Sequence, residues 1–183
     1  FKFNIKWWYN INNHVPRRDR SGYEYFPEDD NNLYVIAQFY PRLAVYNNVE
    51  GWQNMQFWGR SEFALEFGDF KANITTPKDH ILNATGVLKN PKEVLTKTQF
   101  KRFKEAQRSF EKPVFIVTQE EAEIAEKKKS TEIKTWTFHA KNVRDFAFAS
   151  SRKFIWDGMA VNISGKSVMA YSLYPKEGNP LWE

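Results

Sequence analysis

The sequence predicts a mainly β protein, an antiparallel β-sandwich or saddle of about nine strands interrupted by a two-helix insertion. Three observations carry that expectation. Apolar side chains recur at every second position through most of the chain, the spacing that puts them on one face of a strand. Aromatic residues make up 17% of the 183 residues, with 16 Phe, 8 Tyr and 7 Trp, enough rings to fill a core between sheets. Helical spacing appears only within the segment 90–129.

Taken in order, Phe1, Phe3, Ile5, Trp7, Tyr9 and Ile11 alternate with Lys2, Asn4, Lys6 and Asn10, which predicts a half-buried strand. Asn12 to Asn32 holds Pro16, Gly22, Pro27 and Glu28-Asp29-Asp30 and reads as a long solvated loop, with Arg17-Arg18-Asp19-Arg20 inside it. Leu33 to Tyr40 is apolar on both faces, as in a central strand. Pro41 should end its pairing, because proline has no N–H to give to a ladder. Asn47-Asn48 and Glu50-Gly51 read as turns. Glu62 to Phe67 and Phe70 to Thr75 flank Gly68-Asp69 and predict a hairpin, and Ile81 to Leu88 adds a short strand around Gly86.

The insertion opens at Asn90-Pro91-Lys92-Glu93, where Asn can cap, Pro suits the first helical position and Glu stands three residues on. Phe100, Phe103, Ala106 and Phe110 then share a helical stripe, which Pro113 and the β-branched run Val114-Phe115-Ile116-Val117 should end. Thr118-Gln119-Glu120-Glu121 predicts a second capped helix. Its early acids and its terminal Lys127-Lys128-Lys129 both complement the helix dipole. Strand patterns return over Thr131 to Ala140, Arg144 to Ala149, Phe154 to Trp156 and, after a turn at Gly165-Lys166, Ser167 to Leu173.

Composition narrows the function. The net charge of +5 is mild, and the two basic clusters already have a loop and a helix end to explain them, so no nucleic-acid partner is expected. The chain has no Cys, hence no disulfide and no thiolate metal site. No apolar run reaches the length of a membrane span. His14, His80 and His139 stand apart, without the His-Glu-x-x-His spacing that sets two imidazoles on one helical face for zinc. No Gly-x-Ser-x-Gly elbow or phosphate loop occurs, and Asp69 and Asp145 find no second carboxylate by spacing. No catalytic residue, metal site or cofactor is therefore expected inside the chain. It begins directly on strand alternation and ends at Asn179-Pro180-Leu181-Trp182-Glu183 with no evident stop. The expectation is one non-catalytic β domain over 1–183, cut from a longer protein.

Several stretches, in order, resemble the N-terminal saddle domain of the aminopeptidase N family of zinc metallopeptidases, the gluzincins, and bacterial members most closely. Ala37-Gln38-Phe39-Tyr40-Pro41-Arg42-Leu43-Ala44-Val45-Tyr46 is similar to a family strand that carries Gln or Glu and leads to an Arg and a bend. Glu66 to Pro77 is similar to the hairpin that follows, Leu82-Asn83-Ala84-Thr85-Gly86 to the next segment, and Lys141 to Ser150 to the strand leading toward the peptidase domain. Val49-Glu50-Gly51-Trp52 and Asn90 to Thr96 also have bacterial counterparts, so the likeness runs from about Leu33 onward.

The resemblance implies a non-catalytic domain that packs on the catalytic domain of the same chain. Zinc and its ligands would lie in that other domain, along with the Gly-x-Met-Glu-Asn strand that binds peptide. Gln38 matches the position that holds the free α-amine of a peptide substrate, and Arg42 would brace the bend. The alternative is a stand-alone aromatic-rich β-sandwich that binds carbohydrate or another polymer through Trp7, Trp8, Trp52 and Trp58. The sequence leaves the compartment open, with an exported, periplasmic location favoured over a cytoplasmic one.

Overall fold

The computed structural model describes residues 1–16, 19–55 and 64–181. The expectations that rest on Arg17, Arg18, Trp58, Glu62, Phe63 and Trp182 lie outside these residues. In chain order the first strands are β1 (Gly22–Phe26), β2 (Asn31–Ile36), β3 (Val45–Asn47), β4 (Gly51–Gln53), β5 (Gly68–Pro77), β6 (Ile81–Ala84) and β7 (Val87–Leu88). Three helices and a strand follow: α1 (Pro91–Val94), α2 (Lys97–Ala106), β8 (Val114–Val117) and α3 (Gln119–Lys128). The chain then returns to β9 (Ile133–Val143), β10 (Phe148–Ser151), β11 (Ile155–Ile163) and β12 (Lys166–Tyr174), and closes on a 3-10 turn at Lys176–Gly178. The protein is mainly β, in antiparallel sheets, with its α-helices confined to the expected insertion.

Three sheets, β1-β2-β10-β6, β5-β9-β7 and β12-β11-β8, and a separate β3-β4 hairpin account for all the described strands. One core joins them. Leu33 and Leu82 come from the first sheet, Trp136, Phe138 and Ala140 from β9, and Ile116, Val117 and Trp156 from the third. Val94, Phe103 and Ala106 seal it from α1 and α2. Trp136, Phe138 and Ala140 fall on one face of β9, as the alternation predicts, and each fully buried ring contributes about 1.5–3 kcal/mol.

The helices show which sequence signals act. Thr96 and Thr118 each form a complete capping box, with Gln99 and Glu121 respectively. Asn90 opens only the four-residue α1, and its side chain instead bonds Glu93 and the backbone of Thr135 and Thr137. The stripe continues through Phe103 and Ala106, but Phe110 lies beyond α2 and is exposed. Val114–Val117 does more than end a helix: it pairs with β11, so the insertion supplies the edge strand of the third sheet.

Three further sequence expectations fail. Phe1 to Ile11 forms no strand, and its apolar side chains are exposed, because no strand among the described residues pairs with it. The supposed loop from Asn12 to Asn32 contains β1, whose Gly22–Phe26 pairs with Asn31–Val35 across a turn built on Asp29 and Asp30. The hairpin around Gly68-Asp69 does not form among the described residues. Ala64 to Phe67 is irregular, and β5 pairs instead with β9, Phe70 facing Ala140 and Ile74 facing Trp136.

Gly86 marks a close approach between β6–β7 and β9. Its φ is +96°, and a Cβ there would stand 2.5 Å from the His139 carbonyl oxygen. Gly86→Ala is expected to lower stability by about 2 kcal/mol, since both the backbone conformation and the contact oppose it. Urea unfolding measures this; a loss below about 0.5 kcal/mol, the size of an ordinary surface change, would show that the two strands simply part.

Candidate functional site at the end of the second strand

β2 stops pairing at Ile36, five residues before Pro41. Ser21 holds the exit: its hydroxyl accepts from the Ala37 N–H at 3.0 Å and donates to the Val35 carbonyl at 3.3 Å. Gln38 then adopts φ +54°, a left-handed conformation that non-glycine residues rarely take. This breaks the extended run of β2 and leaves Gln38 exposed. Gln38 has no side-chain hydrogen bond to another described residue.

The next residues are anchored firmly. The Phe39 carbonyl accepts from the Trp7 indole N–H at 2.9 Å, and the Phe39 ring meets Tyr40 and Phe148 edge-on at 5.2 and 5.3 Å. Tyr40 packs in turn on Phe70. Asp145 gathers the rest: one oxygen accepts from the Tyr40 hydroxyl at 3.0 Å, from Arg42 at 2.5 Å and from the Phe146 N–H at 2.7 Å. The Arg42 guanidinium also lies 5.0 Å over the Tyr40 ring. Burial, and then the bond to Asp145, push the Tyr40 hydroxyl up to about 12. Arg42 is thus tied to the fold by an ion pair and a ring.

Gln38 lines a cleft of about 480 Å³ with Tyr9, Ile11, Asp19 and Arg20. Its amide can accept and donate, the Asp19 carboxylate can only accept and the Arg20 guanidinium can only donate, so the cleft holds two acceptors for an ammonium group beside one cation. Asp19 and Arg20 looked in the sequence like part of a solvated loop. Only the folding-back of β1 on β2, with the Tyr23 N–H bonded to the Asn12 carbonyl, brings that loop beside Gln38.

The titratable residues elsewhere gather away from this bend. Among the described residues one group of three carboxylates converges, Asp29, Glu126 and Glu177, with oxygens within 4.8 Å of one another. Lys153 Nζ bonds all three, so an ammonium stands where a cation would sit. His14, His80 and His139 join no such group among the described residues. His80, expected in a loop, is 3% exposed and bonds the Ser150 hydroxyl at 2.9 Å.

Fold and site together define a mainly antiparallel β protein with a helical insertion and an exposed, polar-lined bend. No protein-family model matches the chain, and neither a curated protein nor a solved structure matches it.

Proposed function

We propose that this chain is the non-catalytic N-terminal domain of a bacterial zinc-dependent aminopeptidase, packing on the catalytic domain and lending Gln38 to the rim of the substrate site. One observation carries the reading. The residue that the aminopeptidase N resemblance singles out is exposed, held in left-handed backbone and set beside an apolar segment with no sheet partner among the described residues. Phe3 in that segment and Leu43 just past the bend line one cleft and are 60% and 78% exposed. Large apolar residues left uncovered together are the mark of an interaction surface.

In this reading the catalytic domain covers Phe1 to Ile11 and the bend, and Gln38 and Asp19 face its cleft. A peptide substrate's α-ammonium would donate to the Gln38 amide oxygen. Zinc and the groups that activate water would belong to the catalytic domain, since the one convergent acidic group described here is already filled by Lys153.

The test uses the parent protein. The 183-residue chain should release nothing from aminoacyl p-nitroanilides, and the parent should carry a His-Glu-x-x-His helix and hydrolyse them. Gln38→Ala in the parent should raise KM about tenfold for substrates with a free α-amine, the loss of one charge-assisted hydrogen bond, and leave kcat less affected. A parent without that helix, or an unchanged KM, rejects the proposal.

One feature favours the carbohydrate reading. Tyr46 and Trp52 pack together at 5.2 Å on the exposed β3–β4 hairpin, a ring pair able to stack on a sugar face. A glycan screen with Trp52→Ala separates the two readings.

A further inference from the structure

A second cleft, of about 530 Å³, opens between the α1–α2 region and α3. Leu95, Val117, Ala122 and Ile124 give it apolar walls. Of its charged lining, Lys78, Glu93 and Lys128 are exposed and Glu121 is paired with Arg102, which leaves Asp79, Lys134 and Arg152 as its inner charges. This pattern, apolar walls with a few polar groups, is that of a small-molecule site.

The polar groups are incompletely used. The Asp79 side chain is 8% exposed. Its Oδ2 accepts from Arg152 Nε at 2.9 Å and from the Ser130 N–H at 2.5 Å, but its Oδ1 is buried without any partner. Such an acceptor is uncommon, because each buried unpaired polar atom costs free energy. Lys134 Nζ lies 4.6 Å over the Trp136 ring and donates to the Val94 carbonyl at 3.0 Å. An ammonium has three N–H groups, and this is the only hydrogen bond the Lys134 side chain makes among the described residues. Asp79 pairs with Arg152 and not with Lys134, although it is the charge that acts most strongly on Lys134. Burial outweighs that attraction and pulls Lys134 down to about 8. One ammonium with a single hydrogen bond and one carboxylate oxygen with none therefore line the same cleft without meeting.

We propose that this cleft binds an apolar α-amino acid, its carboxylate on Lys134, its ammonium on Asp79 and its side chain against Leu95, Val117 and Ile124. The zwitterionic head is what the charges select. A simple amine would leave its charge facing Lys134, and a simple carboxylate would face Asp79. Only a head with both signs answers both residues while its tail stays dry. The site is separate from the Gln38 bend and does not depend on the peptidase reading.

The experiment titrates the 183-residue chain with L-leucine, isocaproate and isoamylamine, followed by calorimetry and by amide chemical shifts. Leucine should saturate in the millimolar range, and each single-charge control should bind about tenfold more weakly or worse. Asp79→Asn should weaken leucine about tenfold and not weaken isocaproate. Ile124→Glu changes a residue 53% exposed on the wall of the cleft, so the fold should tolerate it while leucine binding falls by a similar factor. No saturation by leucine, equal binding of all three compounds, or indifference to Ile124→Glu in a folded protein would each overturn the proposal.

Discussion

Lys153→Met is expected to lower the stability of this protein by about 3–5 kcal/mol, the largest effect of any single substitution considered. The Lys153 side chain is wholly buried. Its Nζ bonds Asp29 Oδ2, Glu126 Oε1 at 3.0 Å and Glu177 Oε1 at 2.9 Å, and it stands 4.7 Å from the Phe26 ring centroid. Burial alone would drive the ammonium toward its neutral form. The bonds to Asp29, Glu177 and Glu126 outweigh that and hold it above the ordinary lysine value. Asp29 shows the other half of the balance: burial raises it, and the Lys153 bond brings it below the usual carboxylate range.

Met fills much the same volume, so the loss would be electrostatic rather than a cavity. Three acids would remain around one spot with Lys176, which reaches only Glu126 at 2.9 Å. Glu126 is itself 3% exposed, so water cannot replace the lost partner cheaply. The cluster also joins α3, the β1–β2 turn, the β10–β11 turn and the final 3-10 turn, so its failure should spread. Lys153→Met with Glu126→Leu should recover a large part of the loss, because the most buried charge leaves with its partner. Urea unfolding of both variants decides: a single-variant loss under about 1 kcal/mol, the range of a surface ion pair, would mean that the acids are solvated after all.

None of this cluster was visible in the sequence. Lys153 sits in an unremarkable Ser-Arg-Lys-Phe, and its partners are 124, 27 and 24 positions away. Local patterns fared better, for a physical reason. A capping box closes within four residues, so Thr118 with Glu121 was legible. The buried face of β9 was too, since period-two alternation records which side is dry. Alternation does not record whether a partner strand exists, and that is why Phe1 to Ile11 misled. Nor does it say which strand is the partner: Gly68-Asp69 looks like a hairpin turn, yet β5 reaches across some 60 residues to β9. β1 was hidden because its Gly-Tyr-Glu-Tyr-Phe lies among turn-forming and charged residues. At the candidate site, Pro41 announced an end to β2, but the strand stops five residues earlier, at Ile36, where Ser21 takes over its bonding. Asp145 as the common acceptor, and Asp19 in the Gln38 cleft, depend on tertiary contacts that spacing cannot supply.

Acid should reveal the second large effect, centred on His80. In the folded protein burial, and then the nearby positive charge of Arg152, push the imidazole down from 6.5 to about 4. The neutral ring bonds Ser150 and lies 6.2 Å from the Tyr34 ring, and the negative charge of Asp79, which favours the imidazolium, does not offset burial and Arg152. The unfolded chain therefore binds the proton first. Between pH 6.5 and about 4 it carries more protons than the folded state, so stability rises with pH across that window and is lost as pH falls through it. The full window is worth up to about 3 kcal/mol. His80→Asn keeps a side-chain group able to bond the Ser150 hydroxyl and removes the titration. Its unfolding free energy should fall less steeply than the parent's from pH 7 to pH 4, and the two curves should run parallel below that. Carboxylates such as Asp29 titrate lower and are common to both proteins, so the difference between the curves isolates the imidazole. Parallel curves over the whole range would show that His80 takes up its proton without opening the core.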